Sequence, residues 1–134
     1  MSYFLDTNIC IYFLKRAYGN IHHRVLTTKP SNIKIPAIVK AELIYGAEKS
    51  LKRDENMTKL IEFLHPFDII SFDDDCSIYY GKIRAELEKS GTPIGPNDLF
   101  IAATVLSYNG ILVTNNVREF SRILELNIEN WLDP

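Results

Sequence analysis

Apolar runs only three or four residues long recur between longer helical patterns, and this rhythm most constrains the fold. Tyr3-Phe4-Leu5, Ile33-Lys34-Ile35, Phe67-Asp68-Ile69-Ile70 and Ile111-Leu112-Val113 are such runs, with a last strand expected near Ile128. Residues 7–15 read as a helix with Ile9, Tyr12 and Phe13 on its apolar face. Gly19 breaks it, and a short helical or irregular piece runs to Thr28. Pro36 opens a helix that fades near Ser50, since its missing N–H would be unpaired there anyway. Further helices are expected over 54–64, from the Asp73-Asp74-Asp75 triplet through Glu88, from Asn97 or Asp98 through Ser107, and around 118–122. Strands alternating with helices give an α/β domain with a mainly parallel central sheet of four to five short strands flanked by helices. In such sheets ligands bind beyond the carboxyl ends of the strands, and Asp6 and Asn116 both follow strands.

No linker, repeat or low-complexity stretch divides residues 1–134, which suit one domain with a core of its own. At 46% hydrophobic and 24% charged residues the composition excludes a disordered chain. A formal net charge of −2 excludes grip on nucleic acid by bulk positive charge, so any RNA contact must be local or metal-mediated. Cys10 and Cys76 sit in apolar stretches without metal-ligand spacing and read as buried reduced thiols, which fits a cytoplasmic protein. His22, His23 and His65 show no zinc-like spacing. No basic-then-apolar leader and no bilayer-length apolar run are present, so no membrane role is expected.

Three acids stand where chemistry is possible. Asp6 ends the first strand, and its place fits a helix cap as well as a catalyst; Thr7 and Asn8 can orient it. Glu42 lies in a helix between Ala41 and Leu43, where an exposed acid is the default and a buried one is costly without a cation. Asp98 follows Ile94-Gly95-Pro96-Asn97, a backbone stiffer than a helix-terminal acid alone requires. The triplet 73–75 reads as capping and dipole compensation.

Taken in order, Phe4-Leu5-Asp6-Thr7-Asn8-Ile9, Ala41-Glu42-Leu43-Ile44-Tyr45-Gly46, Ile94-Gly95-Pro96-Asn97-Asp98-Leu99-Phe100-Ile101-Ala102-Ala103 and Leu112-Val113-Thr114-Asn115-Asn116-Val117-Arg118-Glu119-Phe120 resemble the PIN-domain family. The likeness is strongest to the VapC toxins of prokaryotic toxin–antitoxin pairs, and it runs from Phe4 to Trp131. The resemblance implies a PIN-like endoribonuclease domain in which Asp6, Glu42 and Asp98 are catalytic acids and Asp6 and Asp98 bind Mg²⁺ or Mn²⁺. The family's fourth acid falls at Asn116, an amide here, which can ligate weakly, hold a water or bind substrate. Glu119 can supply the missing charge if its short helix turns it inward. Thr7, Asn8 and Thr114 match the polar residues that support the acids. With an amide at the fourth corner, one firmly held ion is expected, a second arriving with the RNA.

The chemistry suits these residues. Hydrolysis of RNA needs a deprotonated water, a neutralised phosphate and a stabilised leaving oxygen, and a carboxylate-held divalent ion supplies all three without a catalytic histidine. The expected ends are a 5′-phosphate and a 3′-hydroxyl. RNA-binding candidates are Arg118, Arg122, Arg84 and Lys15, with Arg16 and Lys49 beside them; each also reads as an ordinary solvated charge. Tyr12, Tyr45 and Tyr80 fit base stacking or packing.

The same resemblance implies a VapB-type antitoxin, a homodimer with higher toxin–antitoxin assembly, promoter DNA bound only through the antitoxin, and a tRNA substrate whose loss inhibits translation. An antitoxin Arg or Lys entering the acidic pocket is expected, a guanidinium being a good partner for clustered carboxylates. Leu14, Leu51, Leu60 and Phe63 read as more apolar surface than one small domain must hide. Two rival readings are a catalytically weak PIN-fold binding module, suggested by Asn116, and an aspartyl phosphotransferase, which wants a second Asp where Asn8 stands.

Overall fold

Every strand of the sheet is only three or four residues long, as the short runs in the sequence imply. The computed structural model describes residues 1–132; the last two positions of the expected 1–134 domain lie outside the described residues. The strands are β1 (Tyr3–Leu5), β2 (Ile33–Pro36), β3 (Asp68–Ile70), β4 (Ile111–Val113) and β5 (Asn127–Glu129). They form one sheet in the order β3-β2-β1-β4-β5, and every pairing is parallel. Parallel neighbours need long crossovers, and helices supply them. These are α1 (Thr7–Lys15) and α2 (Gly19–Thr27), α3 (Ala37–Glu48) and α4 (Arg53–Leu64), α5 (Asp74–Lys89) and α6 (Pro96–Ser107), and the single turn α7 (Val117–Phe120).

The strand order carries the functional consequence. From β1 the chain steps outward through β2 to β3, then returns to the other side of β1 with β4 and β5. The order therefore reverses between β1 and β4, whose register pairs Leu5 with Val113. A crevice opens at such a switch point beyond the carboxyl ends of the two strands. The next residues along the chain are Asp6 and Thr114.

The core explains why the switch point is rigid. Phe4, Leu5, Leu112 and Val113 are fully buried, as are Ile33 and Ile35 in β2. Helix α6 is apolar on nearly every side, with Leu99, Ile101, Ala102, Ala103, Thr104 and Val105 all buried, as expected for a helix enclosed by neighbours. Its one buried hydroxyl, Thr104 Oγ1, donates to the Phe100 carbonyl at 2.8 Å. Both cysteines are free and buried. Burial, then the Asp6 charge, pushes the Cys10 thiol far above its ordinary value, so it stays protonated.

Several expected boundaries shift. Pro36 does not open α3: it closes β2, paired with Ile70, and holds an extended ψ of 140°. Asp74 and Asp75 lie inside the first turn of α5, and only Asp73 caps it, accepting from the Cys76 N–H at 3.1 Å. Helix α6 starts at Pro96, ahead of Asn97 and Asp98, because proline suits the first helical position. Leu60 and Phe63 belong to the core and Leu14 is half-buried, so of the four expected surplus apolar residues only Leu51 is fully exposed.

Gly110, after the αL residue Asn109 (φ 51°), is required by packing. A Cβ there would lie 2.5 Å from Phe4 Cε1, and Phe4 is fully buried and cannot retreat. Gly110→Ala is expected to cost about 1–3 kcal/mol, as overpacked cores do. Denaturant unfolding checks this; an unchanged midpoint would show that the β4 entry has slack.

Candidate active site

Asp6 is fixed from both sides. Its own N–H continues the β1–β4 ladder by donating to the Val113 carbonyl at 3.0 Å. Its carboxylate caps α1, with Oδ1 accepting from the Thr7 N–H at 2.8 Å. Oδ2 accepts from the Thr114 hydroxyl at 2.7 Å, across 108 residues of sequence. Thr114 is fully buried, and its N–H donates to the Glu129 carbonyl at 3.0 Å. Its hydroxyl also accepts from the Asn116 N–H at 3.0 Å. One threonine thus ties the acid after β1 to the loop after β4.

Glu42 arrives from α3 and Asp98 from the first turn of α6. Asp6, Thr7, Asn8, Glu42, Asp98, Asn115 and Asn116 line one open pocket of about 370 Å³. Asn116 Nδ2 donates to Glu119 Oε2 at 3.3 Å, which holds Glu119 at the pocket's edge, outside its lining. The fourth corner is an amide–carboxylate pair. Among the described residues no lysine, arginine or histidine lines the pocket.

The electrostatics follow. Burial pushes the Asp6 carboxyl above its ordinary range, against the smaller pull of its bonds to Thr114 and Thr7. Glu42 is raised by burial and by Asp6, with the nearby Thr7 hydroxyl pulling the other way. Asp98 is pushed up to about 6 by burial, then by the charges of Asp6, Glu119 and Glu42 and by a hydrogen bond with Glu119. These are the marks of acids crowded without a counter-charge.

The donor set tests the expected ion. Every donor is an oxygen, which suits Mg²⁺ or Mn²⁺ and excludes a thiolate or imidazole zinc site. Among the described residues no three Asp, Glu, His or Cys side chains stand close enough together to hold a metal ion by themselves. A small hard cation that keeps several waters and takes one or two carboxylates fits such an open arrangement. Thr7 Oγ1 and Asn115 Oδ1 are buried without an aligned hydrogen bond, leaving polar atoms for bound water or ligand.

The expected RNA-binding cations stand outside this pocket. Arg84 donates to Tyr80 Oη at 2.9 Å and pairs with Glu88 at 3.4 Å on α5. Arg122 donates to the Pro93 carbonyl at 2.9 Å, tying the end of α7 to the loop before α6. Arg118 is exposed on α7. Lys15 lines a second cleft of about 620 Å³ between α1, α3 and α4, walled by Ile11, Leu14, Leu43 and Leu60. Glu42 lines both cavities, so the cleft borders the acidic pocket. Tyr80 stacks on Phe100 at 4.8 Å and Tyr45 lies under Lys49, whereas Tyr12 accepts from Asn115 Nδ2 at 3.3 Å. The sequence pattern singles out no role for Asn115; its place in the polar run after β4 is the available signal.

A model of the PIN domain matches residues 3–126. Ribonuclease VapC2 of Rickettsia felis is 46% identical over 132 residues, spanning 98% of both chains. The tRNA(fMet)-specific endonuclease VapC of Salmonella typhimurium is 40% identical over 131 residues, again spanning 98% of both. A chain in the crystal structure of VapBC2 from Rickettsia felis bound to a promoter DNA fragment superposes with a TM-score of 0.91 at 45% identity, over 98% of this chain and 99% of that one. Fold, acidic corner and sequence agree: the chain belongs to the PIN-domain family, in its VapC branch.

Proposed function

We propose that this protein is a Mg²⁺- or Mn²⁺-dependent endoribonuclease, the toxin of a VapBC-type pair, which cuts a tRNA and thereby inhibits translation. The observation that carries the reading is the cation-free crowding of Asp6, Glu42, Asp98 and Glu119 at the β1/β4 switch point. The 40% identity to a tRNA(fMet)-specific endonuclease favours initiator tRNA as the substrate.

Asp6 and Asp98 would hold the cation, with Glu42 as a further carboxylate in the same pocket. A divalent ion bound there lowers the pKa of water and offsets phosphate charge. Thr114 keeps Asp6 in one orientation, and Asn116 keeps Glu119 beside Asp98. The binding-module reading rested on Asn116, but a carboxylate stands 3.3 Å from that amide. The phosphotransferase reading lacks a lysine in the pocket.

An antitoxin fits the cleft between α1, α3 and α4, its apolar side chains on Leu14, Leu43 and Leu60 and a cationic one reaching the acids past Glu42. Promoter DNA is contacted through that partner, since this chain carries a net charge of −2 and the Rickettsia felis complex is bound to promoter DNA. Homodimers within a larger assembly complete the picture. Among the described residues no helix is long and apolar enough to cross a membrane.

The test is incubation of the purified protein with a tRNA(fMet) transcript in Mg²⁺ or Mn²⁺. Cleavage at one bond is expected, leaving a 5′-phosphate, and EDTA stops it. Cutting that persists in EDTA overturns the cation's role. No cutting of this tRNA or of total RNA with either ion overturns the ribonuclease.

A further inference from the structure

An acidic pocket that cuts a polyanion needs attraction and grip close by, and none of its lining residues supplies either. The turn between α1 and α2 does. Arg16 closes α1 in the left-handed region, at φ 53° and ψ 38°, with its N–H donating to the Phe13 carbonyl. Glycine is the cheap residue at such a helix end, and a non-glycine residue there is a candidate for function. This chain places a cation there, next to exposed Lys15, and Arg16 forms no ion pair among the described residues. Ala17 N–H donates to the Tyr12 carbonyl at 2.9 Å, which sets the turn firmly.

Tyr18 follows, 42% exposed. Its ring meets Tyr12 edge-on, with centroids 4.8 Å apart and planes at 71°. Tyr12 in turn accepts from Asn115 Nδ2 at 3.3 Å, and Asn115 lines the acidic pocket. The side chains Asn115, Tyr12 and Tyr18 therefore form a continuous bridge from the pocket to the surface. Edge-on support fixes the Tyr18 ring while leaving it open to a flat partner. The apolar cleft takes Ile11, Leu14 and Lys15 from α1 and not Tyr12, so the two flanks of the pocket differ in character.

We infer that the turn 16–18 is a nucleotide-binding subsite beside the cleavage pocket, in which Tyr18 stacks on an unpaired base of the RNA and Arg16 neutralises a neighbouring phosphate. An exposed aromatic ring with adjacent cations is how proteins hold single-stranded RNA without reading a sequence. The subsite anchors the strand flanking the cut bond and offsets the repulsion between the phosphates and the acids. The inference rests on the ribonuclease reading.

Cleavage kinetics on a tRNA(fMet) transcript with Mg²⁺ test it. Tyr18→Ala is expected to raise KM about tenfold or more, the usual loss for one base stack, with kcat near the wild-type value. Tyr18→Phe and Tyr18→Trp keep the ring and restore KM. Arg16→Asn keeps a residue that tolerates the left-handed turn but removes the charge, and makes the log–log dependence of KM on salt shallower by about one. Melting temperatures stay level, since Tyr18 is a surface residue. A Tyr18→Ala enzyme with unchanged KM overturns the subsite. So does a fall in kcat alone, which would assign Tyr18 to propping Tyr12 and Asn115, or an equal loss in Tyr18→Phe. A wild type that cuts neither this tRNA nor total RNA removes the ribonuclease reading, and the subsite falls with it.

Discussion

Asp6→Asn is expected to leave a folded protein that no longer cuts RNA, with kcat/KM down by more than about 100-fold. Losing a group that only supports a metal-binding residue costs about 10–100-fold, and Thr114→Val belongs in that range because Thr114 Oγ1 merely orients Asp6 Oδ2. Asp6 is the residue being oriented, so its neutralisation goes beyond that. The fold survives because the amide has the same shape. Its oxygen still accepts from the Thr7 N–H, and its nitrogen can donate to Thr114 Oγ1, reversing that bond. Asp6 is also a buried acid with no cationic partner, whose carboxyl burial already pushes upward, so the exchange removes an uncompensated charge. Cleavage and melting temperature measured on one preparation decide the point. A variant that cuts at the wild-type rate removes Asp6 from the site.

How much of this site could be read in the sequence depends on how local the responsible physics is. β1 and β4 stand where expected because each is a three-residue apolar run ended by a polar residue. Asp6 and Thr114 are each legible as strand-end residues. That they touch is not, because the contact exists only once β1 and β4 pair across 108 residues. The same holds for Glu119: its usefulness turned on the direction of a four-residue helix, which no periodicity specifies. Pro36 is expected at a helix start and found at a strand end because proline's missing N–H is tolerated in both places. The pairing of Pro36 with Ile70 selects the second. Leu60 and Phe63 were read as surplus because apolar residues on an amphipathic helix look alike whether they face the same domain or a partner. Here both face the core. Tyr18 left no trace in pattern, since one aromatic in a turn has no period.

Asp98→Asn is expected to silence cleavage as fully as Asp6→Asn, and also to make the cation-free protein more stable above pH 6. The Asp98 carboxyl titrates at about 6 in the folded chain and near ~3.9 in an unfolded one. Between those values the folded state keeps a proton that the unfolded state has released. Stability therefore falls as pH rises through that window, and stays lower beyond it. Asp98 is only half-buried, so solvent screening limits the penalty to the order of 1 kcal/mol, a few degrees of melting temperature in a domain of this size. Asparagine has no proton to lose, so with EDTA present its melting temperature declines less between pH 4 and 7. Glu119→Gln moves the wild-type curve part of the way in the same direction, because Glu119 is one of the charges that raise Asp98. On the proposed function, magnesium is expected to reverse the wild-type penalty by binding the folded state, and Asp98→Asn to lose most of that rise for want of the carboxylate. Parallel melting curves for wild type and Asp98→Asn, with and without Mg²⁺, would show that Asp98 neither feels the other acids nor holds the ion. If the proposed ion binds there, the size of the Mg²⁺-dependent rise measures how far loading the pocket and stabilising the fold are coupled.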